Sequence, residues 1–383
     1  MPRPLTIGLR YTHKDAWTGG IYYVRNLVRA FGLLPPSEQP RLMLIGGDKA
    51  ALAELRAATG YDRLERLSRT RIEVSPARRG LWPFARSQDE EIDLILMGSP
   101  PGLEFRGVQW VPDFQEHRFP EHFPPQELAS RLVRNDRWFS SHRHVMVSSQ
   151  DVADELARRY GQHANRVHVI RFAVFPPMDE VAEDLAQLRR RYGLPERYFL
   201  CANQFWRHKN HALVLRALAE AGPGVPPVAF TGLQEDYRDP DFGPSVPRMA
   251  AELGVQDRAL FLGFIPRTDQ LGLIAGAIAL IQPSLSEGWS TSVEDAKALG
   301  RHVMASDIAV HREQLGANAD IFGGDDAGAL ATLLQRYATM DPEPAPGDYA
   351  RARQGFAHDL IAMCRDVASD FGRRKVDRLV VRR

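Results

Sequence analysis

Two stretches of the sequence hold residue types that could do chemistry. The first runs Pro283-Ser-Leu-Ser-Glu-Gly-Trp-Ser-Thr-Ser-Val-Glu-Asp-Ala-Lys-Ala-Leu-Gly300, a strand end followed by a carboxylate, a glycine turn, hydroxyls and a helix start. Backbone N–H groups at such a helix start bind anionic phosphate. Glu287 would then accept hydrogen bonds from sugar hydroxyls, and an acid one or two turns into the helix, Glu294 or Asp295, would accept from ribose hydroxyls. The same residues also make a capped helix without any ligand, with Ser290 or Thr291 as N-cap and acids in the first turn. The second stretch is Asn203-Gln-Phe-Trp-Arg-His-Lys-Asn-His211, which places Arg207 and Lys209 in a loop between a strand and a helix. Cations there offset the charge developing on a departing diphosphate without a metal. A solvated basic loop has the same residues.

The elements that must position these groups are legible in the hydrophobic periodicity. In the first half, Leu5–Leu9, Arg41–Ile45, Ile92–Met97, Gly107–Val111, Val145–Ser148 and Val167–Ile170 read as buried strands spaced by helices, which means a parallel sheet with crossover units. A helix over Ile21–Leu33 starts after Gly19-Gly20 and repeats Val24, Leu27, Val28 and Phe31 at three- and four-residue spacing. The segment Arg171–Asp179, with Phe-Pro-Pro, breaks the pattern and precedes a charged helix over Glu180–Tyr192. A second alternating set follows: strands Tyr198–Ala202, Pro227–Thr231, Ala259–Gly263, Ala279–Gln282 and His302–Ala305, with helices His211–Ala221, Thr268–Ala275 and Val293–Leu299 between them. Both chemical stretches fall at carboxyl ends of strands, the edge where open parallel sheets collect ligands. The organisation expected is an N-terminal Rossmann-like domain over 1–175, a C-terminal one over 176–348, and a long helix with a basic tail over 349–383.

The 383 residues fit two domains at roughly 100–200 residues each. Lys plus Arg number 49 against 48 Asp plus Glu, which leaves no bulk field to attract nucleic acid. Two cysteines, Cys201 and Cys364, offer neither a disulfide framework nor a metal cluster and suit a reducing compartment, so the cytoplasm is expected. The N-terminal run is too short for a signal sequence, and Leu271–Ile281 is far short of the about 20 apolar residues that cross a bilayer.

The stretch Pro283–Gly300 resembles the Glu-x7-Glu motif of the retaining glycosyltransferases of family 4, the glycosyl transferases group 1, which have the GT-B fold of two facing Rossmann-like domains. By that resemblance Glu287 and Gly288 contact the donor sugar, with Trp289, Ser290 and Thr291 beside them. The second acid, which holds the ribose, falls on Asp295, one methylene shorter than the family's Glu, with Glu294 as the neighbour able to take its place. Lys209-Asn210 matches the family's Lys-Asn pair ahead of this helix. The family's arginine five residues earlier is Gln204 here, so Arg207 is expected as the second phosphate-binding cation beside Lys209, with Asn203 in the same loop. Phe261-Leu-Gly-Phe-Ile265 resembles the strand and turn bordering the nucleobase, which puts Phe264 and Ile265 at the base. Gly19-Gly20 resembles the glycine loop near the donor phosphate. Trp110-Val-Pro-Asp-Phe-Gln-Glu-His-Arg-Phe-Pro-Glu-His-Phe123 resembles a Pro-Asp-Phe-Gln-His segment that faces the interdomain cleft, where Asp113 and His117 would orient the acceptor or a sugar hydroxyl.

The resemblance implies transfer of a hexose from a GDP- or UDP-linked donor, with mannose first, to a glycan or lipid-linked glycan in surface polysaccharide synthesis, with no cofactor or metal required. Asp239-Pro-Asp241 matches a DxD metal motif in form but lies in a Pro/Gly-rich loop with no strand before it. The basic residues at Arg78–Arg86 and from Arg373 onward fit contact with an anionic membrane surface, or simply a solvated loop and tail. Two other readings share the fold: a nucleotide-sugar epimerase or phosphorylase, and a non-catalytic subunit that binds a glycan or a partner enzyme, for which Gln204 and Asp295 are the sequence support.

Overall fold

The computed structural model describes residues 3–11, 18–67, 72–75, 90–176, 184–316, 319–343, 348–374 and 378–381. The chain divides into two compact units, one of residues 1–113, 130–173 and 350–383, the other of residues 114–129 and 174–349. Among the described residues, no helix is long and apolar enough to cross a membrane.

In the first unit the strands Leu64–Leu67, Arg41–Ile45, Thr6–Leu9 and Leu94–Leu96 lie side by side in that order, all parallel. A single bridge from Ile95 to Gly107 leads to a second parallel set, Val108–Trp110, His144–Val147 and Arg166–Val169. The inner strands Thr6–Leu9, Leu94–Leu96 and His144–Val147 are fully buried, as strands covered on both faces of a parallel sheet are, while the outer strands Leu64–Leu67 and Arg166–Val169 carry charged residues and are more exposed. The helix before the second strand runs Thr18–Gly32, so Gly19 and Gly20 form its first turn and not a loop ahead of it. The first four N–H groups of a helix have no intrahelical partner in any case, which makes that turn the cheapest place in a helix for glycine.

The helix Tyr349–Arg373 buries Phe356, Leu360, Met363, Val367 and Phe371, an apolar stripe at three- and four-residue spacing. From Ala350 on it belongs to the first unit, where Asp370 accepts from Arg143 Nε at 3.0 Å and Arg166 Nη1 at 3.1 Å, with His144 Nε2 at 3.1 Å. The basic tail is more than a solvated appendage. Arg378–Val381 is a strand lying between Ile72–Ser75 and Glu90–Ile92, antiparallel to both, with Leu379 fully buried. The other basic cluster, Arg78–Arg86, lies outside the described residues, as does most of the first turn expected for the helix over Glu180–Tyr192, of which the structure has Leu185–Arg191.

The second unit has one parallel sheet in the order Ala259–Gly263, Val228–Thr231, Phe199–Ala202, Leu280–Gln282, Val303–Ser306, Asp320–Phe322. The alternation of strand residues sorts them to two layers: Phe199, Cys201 and Phe230 pack with Leu213, Leu218 and Leu330 on one face, while Leu200, Ala229 and Leu280 pack with Leu273 and Ile274 on the other. Strand order reverses between Phe199–Ala202 and Leu280–Gln282. That reversal opens a crevice at the carboxyl ends, the place where doubly wound sheets bind ligands.

Candidate functional site

The two chemical stretches of the sequence leave the sheet on either side of this reversal. Leu285 N–H donates to the His208 carbonyl at 2.8 Å, stitching the loop after Leu280–Gln282, the fourth strand of this sheet in chain order, to the loop after Phe199–Ala202, the first in chain order. Ser292 Oγ donates to the Ala202 carbonyl at 2.7 Å and fixes the start of the helix Thr291–Ala298 at the end of the first strand. Gly232 makes room for this edge. Its φ is +143°, and a Cβ on it would come 2.1 Å from the Asn203 carbonyl oxygen, so only glycine lets the second strand's exit pass the first strand's loop.

Asn210 has a left-handed φ of 56° and turns the chain from the short turn Arg207–Lys209 into the helix His211–Ala221, while its Nδ2 donates to the carbonyls of Pro283 (3.2 Å) and Gly324 (2.8 Å). This conformation aims Lys209 back over the sheet end, where Nζ meets Glu287 Oε1 at 2.5 Å. The same oxygen accepts from Gln282 Nε2 at 2.9 Å, and Gln282 Oε1 accepts from Asn203 Nδ2 at 3.1 Å. Glu287 is thereby oriented from two strands. Burial alone would push its carboxyl up, but Lys209 beside it outweighs burial and holds it below the ordinary value, as a carboxylate. His311 is fully buried, its Nδ1–H donates to the Ser306 carbonyl at 2.9 Å, and burial keeps its ring neutral beside Glu287.

The following helix carries both acids of the motif, and the structure gives them different surroundings. Asp295 is 1% exposed, its Oδ1 accepts from Arg267 Nη2 at 2.5 Å, and its Oδ2 is buried with no partner. Burial pushes its carboxyl up against the pull of Arg267. Glu294 is satisfied from three sides: Oε1 accepts from Lys297 Nζ (2.8 Å) and Gln314 Nε2 (2.9 Å), and Oε2 accepts from Tyr349 Oη (2.5 Å). Asp295, with an open lone pair, is the acid able to take a further hydroxyl. Ser290 is the N-cap, accepting from Val293 N–H at 3.4 Å; Thr291 opens the helix, with Gly288 buried and Trp289 half-buried ahead of it.

Other expected residues lie elsewhere. Arg207, exposed, donates Nε to Asp239 Oδ2 at 2.5 Å and stacks over Phe242 at 5.5 Å, so the second cation expected beside Lys209 is engaged by the first acid of the Asp-Pro-Asp sequence. A carboxylate within reach of a flexible exposed guanidinium captures it by direct charge-assisted hydrogen bonding. Gln204 is half-buried in the same loop; Phe264 is 66% exposed and Ile265 buried, at the carboxyl end of Ala259–Gly263. Gly19, Gly20 and Asp113 belong to the first unit. His117, in the turn Gln115–Arg118, belongs to the second, with residues 114–129.

What holds 114–129 to the second unit is a buried clasp that local pattern did not reveal. Arg238 pairs with Asp236 through Nε (2.9 Å) and Nη2 (3.0 Å), and its guanidinium lies 5.0 Å from the Trp206 ring and 5.1 Å from that of Phe123. Tyr237 Oη donates to Glu127 Oε1 at 2.8 Å beside it. Gln282, Arg267 and Tyr349 were likewise unforeseen. Gln282 carried a signal, a polar residue ending the apolar run Leu280-Ile281.

Residues 186–346 match the family model described as glycosyl transferases group 1. The chain is 26% identical over 184 residues to the O-antigen chain mannosyltransferase RfbU of Salmonella typhimurium, covering 48% of this chain and 48% of that protein. It is 28% identical over 177 residues to the GDP-Man:Man(3)GlcNAc(2)-PP-Dol alpha-1,2-mannosyltransferase of Dictyostelium discoideum, covering 44% of this chain and 34% of that protein. The chain thus spans about half or less of the length of these curated relatives. Among solved structures, Anabaena Alr3699/HepE in complex with UDP and glucose is similar over 97% of this chain and 98% of that one, with a TM-score of 0.59 at 16% identity, a likeness of fold. The fold is GT-B.

Proposed function

With residues 186–346 belonging to the glycosyl transferases group 1, we propose that this chain is a retaining glycosyltransferase that moves a hexose from a nucleoside-diphosphate sugar to a glycan or lipid-linked glycan. The observation that carries the reading is the pairing of Lys209 with Glu287 at 2.5 Å, at the point where strand order reverses. Glu287, a carboxylate oriented by Gln282, accepts from hydroxyls of the donor sugar. Lys209 turns from it to the diphosphate and stabilises the charge that grows as the bond from the anomeric carbon to oxygen breaks. The open oxygen of Asp295 accepts from a ribose hydroxyl. The acceptor oxygen forms the new bond on the face the diphosphate leaves, and the departing phosphate oxygen takes the acceptor's proton, so no protein nucleophile enters. Mannose from a GDP donor is the first choice, supported by the two mannosyltransferase relatives, and UDP-linked sugars come next. A lipid-linked acceptor would bring a cytoplasmic enzyme to the inner face of the membrane.

The test is a thermal-shift screen against GDP, UDP, ADP, CMP and dTDP, with and without EDTA, followed by transfer assays with the matching sugar. A ligand at ten times its Kd stabilises by about 1.4 kcal/mol, enough to see. An EDTA-insensitive shift with one diphosphate, then diphosphate release that needs an acceptor, is expected. Release without acceptor, or dependence on inorganic phosphate, would favour the epimerase or phosphorylase reading. The pairing of Arg207 with Asp239 favours a second reading, a non-catalytic glycan-binding or partner subunit, and a screen in which no nucleotide shifts the melt would establish it over the first.

A further inference from the structure

The main span of the second unit begins at Val174 and ends at Tyr349, and one hydroxyl holds both ends. Val174 N–H donates to Tyr349 Oη at 2.9 Å, and Tyr349 O–H donates to Glu294 Oε2 at 2.5 Å. Glu294 is 2% exposed, and its other oxygen is held by Lys297 and Gln314. Gln314 brackets Ser290: its Oε1 accepts from Ser290 N–H at 3.2 Å and its Nε2 donates to the Ser290 carbonyl at 2.8 Å. Ser290 closes the turn that begins at Glu287. A continuous hydrogen-bonded path therefore runs from the ends of the span to the backbone that presents Glu287.

We infer that Tyr349 is a positioning residue for the turn Glu287–Ser290, acting through Glu294 and Gln314. What that turn binds rests on the function proposed above; that Tyr349 fixes it does not. A buried carboxylate in a fully satisfied network is held in one orientation, and the loss of one donor leaves an oxygen that must find another. In this network Glu294 then keeps two donors, Lys297 Nζ and Gln314 Nε2, both on Oε1, and Gln314 Nε2 also serves Ser290. Without the tyrosine hydroxyl, Oε2 loses its donor, the carboxylate swings to bring it to Lys297 and Gln314, and Gln314 shifts against the Ser290 backbone it brackets. Burial first, then the adjacent Glu294, raises the Tyr349 phenol far above its ordinary pKa, so it stays a donor throughout the working range.

Tyr349→Phe keeps the ring and removes the hydroxyl. Amide hydrogen exchange of the full chain, with no ligand added, should quicken about tenfold at residues 288–293. The donor KM should rise about five- to tenfold while kcat stays within about twofold. Gln314→Leu cuts the path one step nearer the turn and should give the same pattern. Unchanged exchange at 288–293 in both variants, with only a lower melting temperature, overturns the inference. If the wild-type chain binds no nucleotide, the function proposed above fails, and the exchange measurement alone still decides the role of Tyr349.

Discussion

Lys209 and Glu287 are 78 residues apart in sequence, yet Nζ and Oε1 stand 2.5 Å apart because their loops leave adjacent strands and are tied by the Leu285–His208 backbone hydrogen bond. Each group is nearly buried and each satisfies the other. A ligand that takes one must offer the opposite charge or a hydroxyl to the partner it displaces. A sugar joined to a diphosphate offers both at once.

Lys209→Ala and Glu287→Ala should each lower kcat/KM for transfer about a hundredfold or more, the size seen when one preorganised charge-stabilising group is removed. Diphosphate release measured with saturating acceptor checks this. Activity within threefold of wild type would remove that residue from the site.

Arg207→Ala should change kcat/KM less than about threefold, since an exposed guanidinium paired with Asp239 contributes about 0–1 kcal/mol. A loss as large as that of Lys209→Ala would mean that Arg207 leaves Asp239 for the diphosphate when the donor binds.

Asp295→Asn should raise the donor KM about tenfold with little change in kcat, as expected for a ribose contact present in ground and transition states alike. Arg267→Ala should do the same and also lower stability by about 3–5 kcal/mol, because it strands a buried carboxylate. A fall in kcat alone would contradict the ribose role.

Stability should fall as pH drops from 7 to 5. His211 is fully buried and stacked on Phe205 with ring centroids 4.3 Å apart, and burial takes its pKa from 6.5 down to about 3. Between those values the unfolded chain binds a proton that the folded chain does not, so stability rises with pH there and is lost as pH falls below the unfolded value. At pH 5 one such histidine costs about 2 kcal/mol. Burial lowers His208 and His311 as well, and both act in the same direction. His211→Phe preserves the stacking and should flatten the dependence of melting temperature on pH; the same slope as wild type would assign the effect elsewhere.

Most of the buried parallel strands and the helix His211–Ala221 were legible because such strands are short apolar runs and amphipathic helices repeat every three or four residues. Leu64–Leu67, Ile72–Ser75, Asp320–Phe322 and Arg378–Val381 were not expected, and the run expected as Ile92–Met97 is two strands, Glu90–Ile92 and Leu94–Leu96, in different sheets. Lys209, Glu287 and Asp295 stood out through residue type and the position of their loops. Arg238 with Phe123, Arg267 with Asp295, and Tyr349 with Glu294 did not, since a contact between elements distant in sequence leaves no mark in local periodicity. The start of the helix at Thr18 was missed for a local reason: Gly19-Gly20 reads as a break, and helical first turns tolerate glycine.

The strand Arg378–Val381 sits in the middle of its small sheet, between partners that precede it by some three hundred residues of sequence. During synthesis, the whole of 174–349 emerges before that strand exists. The second unit can therefore assemble on the ribosome as one continuous stretch apart from residues 114–129, while the first waits with Ile72 and Ile92 uncovered until Leu379 arrives. The unit that holds the first strand of the sequence is thus the one completed last, once Arg378–Val381 is available to pair.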